Sequence, residues 1–573
     1  MRLHAIFIAA CTATLLVCSA EAATPNSTTV AFHAIVRDYY NAQWKAHPVD
    51  ATATGVHQYD ADLDDVSATA NAREIARLKQ TEAKLHAVNG AALSQMDRDD
   101  RDVLMAQIDG QLLEDESVQH WRHDPGIYVN LLTYAVFGLI DRNFAPLPKR
   151  MKDVIAREAA IPAMLTVARH NLTDMPPVFI DMALANLKGG ISFLNKDVPK
   201  AFVGIKNPTL QKNLTKSTTS AVAAATDFER WLIAQKPHAH GSFMLGRANL
   251  QRLLASDMVD VPLAKVLAAG EVQFARDHAA YLATEKLVDP RHPSRAMAEI
   301  AADHPDAAHL VSAARKQLAH LQAFIEQHHI LTLPSQQLPV VAQTPPFARA
   351  VIFGQTDPPG RLETHATKVY YFITPPDPAW PQARQEKLLS YFNHSFLTIL
   401  SVHEALPGHF TQYLFAHANP EWSLARKMAH SYSTTEGWAH YSEQMMLDEG
   451  LGHGSPKLRL VQLGAALLRD CRLIAAIRMH TGEMTLTEAT QMMEKKCFVS
   501  SAAAPGEAER GTSDPQYYSY TLGKLEILKL RSDLEKKEGK AFNLTRFHDA
   551  FMNAGLVPVA IIRREMGLTG PAL

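Results

Sequence analysis

Apolar residues return every three or four positions along much of the chain, as in Ala72-Arg73-Glu74-Ile75-Ala76-Arg77-Leu78 and again from Gly523 through Leu534. That spacing lines one face of an α-helix, so the fold is expected to be mainly α. Leu389, Phe392, Phe396, Ile399 and Leu400 fall on one side of the stretch Leu388 to Val402, which predicts a buried helix there. Two short runs depart from helical rhythm. Ala350-Val351-Ile352-Phe353 and Lys368-Val369-Tyr370-Tyr371-Phe372-Ile373 read as strands separated by the turn-forming Asp357-Pro358-Pro359-Gly360. They predict a small β-sheet, whose second segment could take an extended substrate as an added strand. Pro334 to Phe347 is proline-rich and lacks periodicity, which marks a linker or surface crossing. The pattern divides the chain into an amino-terminal helical half (23–333), a linker with the small sheet (334–385) and a carboxy-terminal helical half (386–573), without a long repeat or a low-complexity tail.

The first residues stand apart from this pattern. Met1-Arg2 is basic, Ala5 through Val17 is apolar, and Ala20-Glu21-Ala22 resembles a cleavage site, so residues 1–22 are expected to be a secretory signal peptide. The mature chain is then periplasmic or secreted. Leu15-Leu16-Val17-Cys18 faintly resembles a lipoprotein signal, although valine before the cysteine fits poorly. No later apolar run reads as long enough to span a membrane.

Cleavage would leave Cys471 and Cys497. An oxidising compartment allows a disulfide between them, worth about 3 kcal/mol, and two buried free thiols are the other reading. Neither cysteine has a histidine context that marks a nucleophile. The 573 residues carry a net charge of -2, which offers no electrostatic case for nucleic acid or an anionic membrane surface.

The most informative chemistry lies in His403-Glu404-Ala405-Leu406-Pro407-Gly408-His409. In the ordinary H-E-x-x-H helix two imidazoles four residues apart share one zinc ion. Six residues of ideal helix instead separate them by about 120° and about 9 Å of rise. Pro407 removes a backbone donor and Gly408 accepts dihedrals other residues resist, so a kink or π-bulge can bring His409 back beside His403. The alternative is a helix that ends at Pro-Gly and leaves His409 at the surface or in a cap.

Thr435-Glu436-Gly437-Trp438-Ala439-His440-Tyr441-Ser442-Glu443 supplies a candidate third ligand, Glu436, with His440 and Glu443 farther along one polar stripe. Two histidines, one glutamate and an open position form a catalytic zinc arrangement, whereas structural sites close all four positions. An exposed helical acid is the plainer reading of Glu436, weakened by Gly437 and Trp438, which indicate close packing.

HEALPGH and TEGWAHYSE, followed by CFVSSAAAPGEAERGTSDPQYYSYTLGKLEILKLR, resemble the bacterial domain-of-unknown-function family numbered 885, akin to helical gluzincin peptidases. WKAHPVDATATGVHQYDADLDD and VYYFITPPD extend the resemblance over nearly the whole mature chain. It implies a large helical zincin-like, gluzincin-type architecture with a small β-sheet beside the cleft. The Pro-Gly insertion belongs to the family's own motif. Carried over, His403, His409 and Glu436 are implied Zn²⁺ ligands and Glu404 the general base that takes a proton from water at the metal, a role a carboxylate next to a ligand can fill.

Amide hydrolysis also needs an oxyanion donor. Asp514-Pro515-Gln516-Tyr517-Tyr518-Ser519-Tyr520-Thr521-Leu522-Gly523 is similar to a Tyr-rich stretch of thimet-oligopeptidase-like enzymes, and by that analogy Tyr520 is favoured over Tyr517 and Tyr518. Aromatic packing is the alternative. His440 is expected to orient a ligand or steady the tetrahedral intermediate, or to be a satisfied core histidine. Arg510 and Arg531 are candidates for gripping a peptide carboxylate. The expectation is an exported zinc-dependent hydrolase of short peptides. A non-catalytic peptide-binding protein and a zinc hydrolase of another amide or ester are the alternatives, and an intact Glu404 argues against the first.

Overall fold

The computed structural model describes residues 26–345, 349 and 353–573, so the signal-peptide expectation and the strand expected at Ala350-Val351-Ile352 lie outside the described residues. The protein is mainly α-helical with one small mixed sheet.

In the amino-terminal half, α1 (Ser27–Ala46), α2 (Gly126–Ile140), α3 (Leu147–Asn171), α4 (Pro177–Ser192) and α5 (Pro208–Gln235) follow the apolar periodicity. Leu132, Val136, Ile161, Leu165, Ile180, Leu187 and Phe228 from α2 to α5 form one core. Burying each large aliphatic side chain contributes about 1.5–3 kcal/mol. The helical stretch Pro177–Ala201 corrects one expectation, because its length and mean hydropathy of 1.2 suffice to cross a membrane. Its Phe179, Ile180, Ala183 and Leu187 are buried.

The sheet has strand order β1-β3-β2, from β1 (Val340–Gln343), β2 (Gly354–Asp357) and β3 (Tyr370–Ile373). β3 pairs parallel with β1, Val341 opposite Tyr371, and antiparallel with β2, Thr356 opposite Tyr371. The segment Lys368–Ile373 is therefore central, with both sides occupied, and cannot take an extra strand as expected. The proline-rich stretch hid β1, whose four residues are too few to display alternation. Phe353 precedes β2, which begins at Gly354.

α6 (Leu263–Val288) and α7 (Leu310–Gln327), still in the amino-terminal half of the sequence, join α8 (His394–Glu404), α9 (His409–Ala418), α10 (Tyr432–Asp448), α11 (Pro456–His480), α12 (Ala504–Ser513) and α13 (Ser519–Glu538) of the carboxy-terminal half. Leu318 and Leu321 of α7, Tyr371 and Ile373 of β3, Leu397 and Val402 of α8 and Trp438 of α10 share one core. The helix expected over Leu388 to Val402 is interrupted. A helix at Gln382–Tyr391 stops, and the Asn393 side chain caps α8 by accepting the Phe396 N–H at 2.9 Å. Cys471 and Cys497 form a disulfide, which resolves the two cysteine readings.

Candidate metal centre

α8 ends at Glu404 and α9 starts at His409, so the intervening turn decides where the second imidazole points. Ala405 and Leu406 N–H both reach back to the Ser401 carbonyl, at 2.9 and 3.1 Å, and Gly408 N–H to that of Val402 at 3.0 Å. The Leu406-Pro407 peptide is cis. A Cβ on residue 408 would lie 1.8 Å from the His403 carbonyl oxygen, so only glycine fits. The Trp438 indole N–H donates to the Pro407 carbonyl at 2.7 Å and pins the turn to α10. The structure thus replaces the kink or π-bulge with two helices: the first ends, as the plainer reading held, and the second starts at once with His409 turned back toward His403.

The two imidazoles stand 4.9 Å apart between centroids and nearly perpendicular, at 86°. Glu436 Oε2 lies 3.5 Å from His403 Nε2 and 3.6 Å from His409 Nε2. Donors bound at about 2.0–2.1 Å in a tetrahedron stand about 3.4 Å from one another, so this spacing suits one shared ion. Glu436 Oε2 is buried and lacks a hydrogen-bond partner among the described residues, an orphan that a cation would satisfy. Burial opposes ionisation of Glu436, but the two imidazoles outweigh it and hold its carboxyl well below the usual range. Burial likewise works against charge on His409, yet Glu436 prevails and lifts that imidazole to about 9. The pocket is built for positive charge.

The far ring nitrogens are already engaged. His403 Nδ1 meets Glu443 Oε1 at 2.8 Å, and His409 Nδ1 meets Gln412 Oε1 at 3.0 Å. An Nδ1–H donated to oxygen leaves the Nε2 lone pair for a metal. Glu443 is fully buried. Burial raises its carboxyl, but Arg469, 3.0 Å from Oε1, together with His403 and His440 keeps it far below the usual range. His440 is also fully buried, its Nδ1 3.4 Å from Glu443 Oε2, and burial with nearby Lys524 holds its imidazole down at about 3. It pairs with Glu443, and its Nε2 is buried without a hydrogen-bond partner among the described residues.

Glu404 closes α8 with its carboxylate accepting the Thr356 N–H at 2.8 Å, while the Thr356 hydroxyl bonds the Glu404 carbonyl. The sheet thereby fixes the candidate base. Of the three phenols, Tyr520 has Arg472 5.2 Å and Arg469 5.6 Å from its ring. Burial first, and then Glu436, raise its pKa. Tyr517 donates to Glu507, and Tyr518 is wholly buried near Asp257 and Glu526. Arg531 is spent on Glu535 at 2.9 Å, Glu449 at 3.5 Å and the Tyr441 hydroxyl at 3.2 Å, which corrects its candidacy. A cavity of about 1290 Å³ lies elsewhere, among helices of the amino-terminal half and the segment from Asp357 to Glu363, and none of the three donors lines it.

Sequence reasoning left Glu443 without a task and missed Gln412, Thr356 and Arg469. Gln412 lies three residues after His409 on one helix, a spacing that signals contact. Thr356 and Arg469 arrive from distant segments and carry no local sign.

Two solved structures share the fold. A candidate lipoprotein of unknown function from Shewanella oneidensis is 26% identical, with 93% of this chain and 99% of that chain covered and a TM-score of 0.79. A candidate lipoprotein from Colwellia psychrerythraea is 19% identical, with 95% and 99% covered and a TM-score of 0.80. No curated protein matches the chain. Residues 48–566 match the family model described as bacterial protein of unknown function, DUF885, and the chain belongs to that family.

Proposed function

We propose that the protein is an exported zinc-dependent hydrolase of short peptides, related to the helical gluzincins. The observation that carries this reading is the convergence of His403, His409 and Glu436 around an orphaned carboxylate oxygen, with both outer imidazole nitrogens already occupied. Two nitrogens and one oxygen match catalytic zinc with room for a reactant. When bound, zinc would polarise a scissile carbonyl and acidify water.

The chain's own groups divide the remaining work. Glu404, with one oxygen held by Thr356, takes a proton from water and passes it to the departing nitrogen. Water's hydroxyl joins the carbonyl carbon, the C–N bond breaks, and an acid and an amine leave. The Tyr520 phenol donates to the developing oxyanion. Glu443, supported by His440 and Arg469, fixes the His403 tautomer. Export is supported by the signal-like first residues, by the Cys471–Cys497 disulfide and by the lipoprotein descriptions of the two structural relatives.

Cleavage of a mixed peptide library by wild type and by Glu404→Gln, each loaded with zinc, tests the reading. Turnover in wild type with at least a hundredfold loss in the variant is expected. Equal turnover in both, or none in wild type, contradicts it.

A further inference from the structure

Three guanidinium groups gather on the tyrosine side of the metal donors. Arg469 and Arg472 come from successive turns of α11 and Arg510 from α12. Arg472 lies 4.5 Å from the Tyr517 ring and 5.2 Å from that of Tyr520, and Arg510 lies 4.7 Å from Tyr517. Arg469 joins the group to the donors, 3.3 Å from His403 Nδ1.

The three differ in what they have left to offer. Arg472 grips Glu507 bidentately at 2.9 and 3.1 Å, and Arg469 serves Glu443 and the Ala465 carbonyl. Arg510 has one long ion pair, with Asp514 at 3.4 Å, and a hydrogen bond with the Tyr520 phenol, and its side chain is 49% exposed. A guanidinium carries five N–H donors in a fork that suits a carboxylate, and one long, exposed ion pair with one phenol contact leaves several of them free. Tyr432, one helical turn before Glu436, is also exposed.

We infer that Arg510, in the field of Arg469 and Arg472, binds the terminal carboxylate of a short peptide, so that hydrolysis proceeds from the carboxy-terminal end. The inference rests on the peptidase reading and names its substrate class. The bond broken is the last amide: water's hydroxyl completes the new acid, its proton reaches the leaving amine, and one amino acid departs.

The test uses a pool of N-acetyl tripeptides, prepared as free acids and as carboxy-terminal amides, against the zinc-loaded full chain and its Arg510→Gln variant, with turnover and calorimetric binding both measured. Wild type should favour free acids at least tenfold in kcat/KM, mainly through KM, and Arg510→Gln should reduce that preference to near unity while thermal unfolding is unchanged. Equal cleavage of acids and amides by wild type, or a preference that survives in the variant, overturns the inference and leaves the peptidase reading standing. Tighter binding of free acids that Arg510→Gln abolishes, without any cleavage, upholds the carboxylate site and removes the peptidase reading. Neither cleavage nor preferential binding removes both.

Discussion

Gly437 of α10 and Gly523 of α13 meet backbone to backbone: a Cβ added at 523 would fall 1.9 Å from the Ser433 carbonyl oxygen and 2.8 Å from the Gly437 Cα. This contact sets the distance between the helix that carries Glu436 and the one that carries Tyr520. Main chain cannot rotate aside, so Gly523→Ala should destabilise the protein by about 1–3 kcal/mol or more. Gly506→Ala, at a helical position where an added Cβ meets nothing within 4 Å, is the control expected to be neutral or slightly stabilising. Urea unfolding of the two variants checks the contrast.

Glu443 does not reach the metal donors' inner face, yet it holds the outer nitrogen of His403. Glu443→Gln should therefore leave all three ligands in place and weaken zinc affinity about 10- to 100-fold. Competition with a chromophoric chelator measures this. Unchanged affinity would reduce Glu443 to a partner of Arg469.

Glu158, on α3 and fully buried, gives a pH signature far from the metal. Burial pushes its carboxyl up to about 7 from 4.5, although the Ser217 and Thr218 hydroxyls donate to it. Between those two values the folded chain keeps a proton that the unfolded chain releases, so stability falls as pH rises through the window and levels off above it. The loss amounts to about 3 kcal/mol at most. Glu158→Gln should be more stable than wild type at pH 8 and lose that advantage below pH 5, as followed by thermal unfolding.

The disulfide spans 26 residues between α11 and the segment after the helix Leu486–Lys496. Chain-entropy reasoning assigns about 3.5 kcal/mol to closing such a loop. The Cys471→Ala/Cys497→Ala double variant should unfold at correspondingly lower denaturant, and an unchanged midpoint would contradict that assignment.

How much was legible in the sequence follows from the range of each interaction. The helical rhythm around Leu78 and Leu530 depends on local spacing, and the structure has helices there. His403, His409 and Glu436 were legible because a two-histidine motif and a nearby acid carry their chemistry in residue type. The path of the Pro407-Gly408 turn was not, since it depends on the Trp438 indole and on carbonyls packed against Gly408. The role of β3 was misjudged for a similar reason: whether a strand lies at an edge depends on β1, which pairs with it from 30 residues away. Thr356 and Arg469 act through the groups they touch, and only folding brings those groups together, whereas the Gln412 contact with His409 lies within one helical turn and was legible.

The central claim is that His403, His409 and Glu436 hold one ion. Elemental analysis after equilibration with excess zinc and gel filtration tests it most directly. One zinc per chain is predicted for wild type and for Glu404→Gln, with loss of the metal in His409→Ala. A wild-type chain that emerges without zinc, or a His409→Ala chain that retains it in full, would contradict the account.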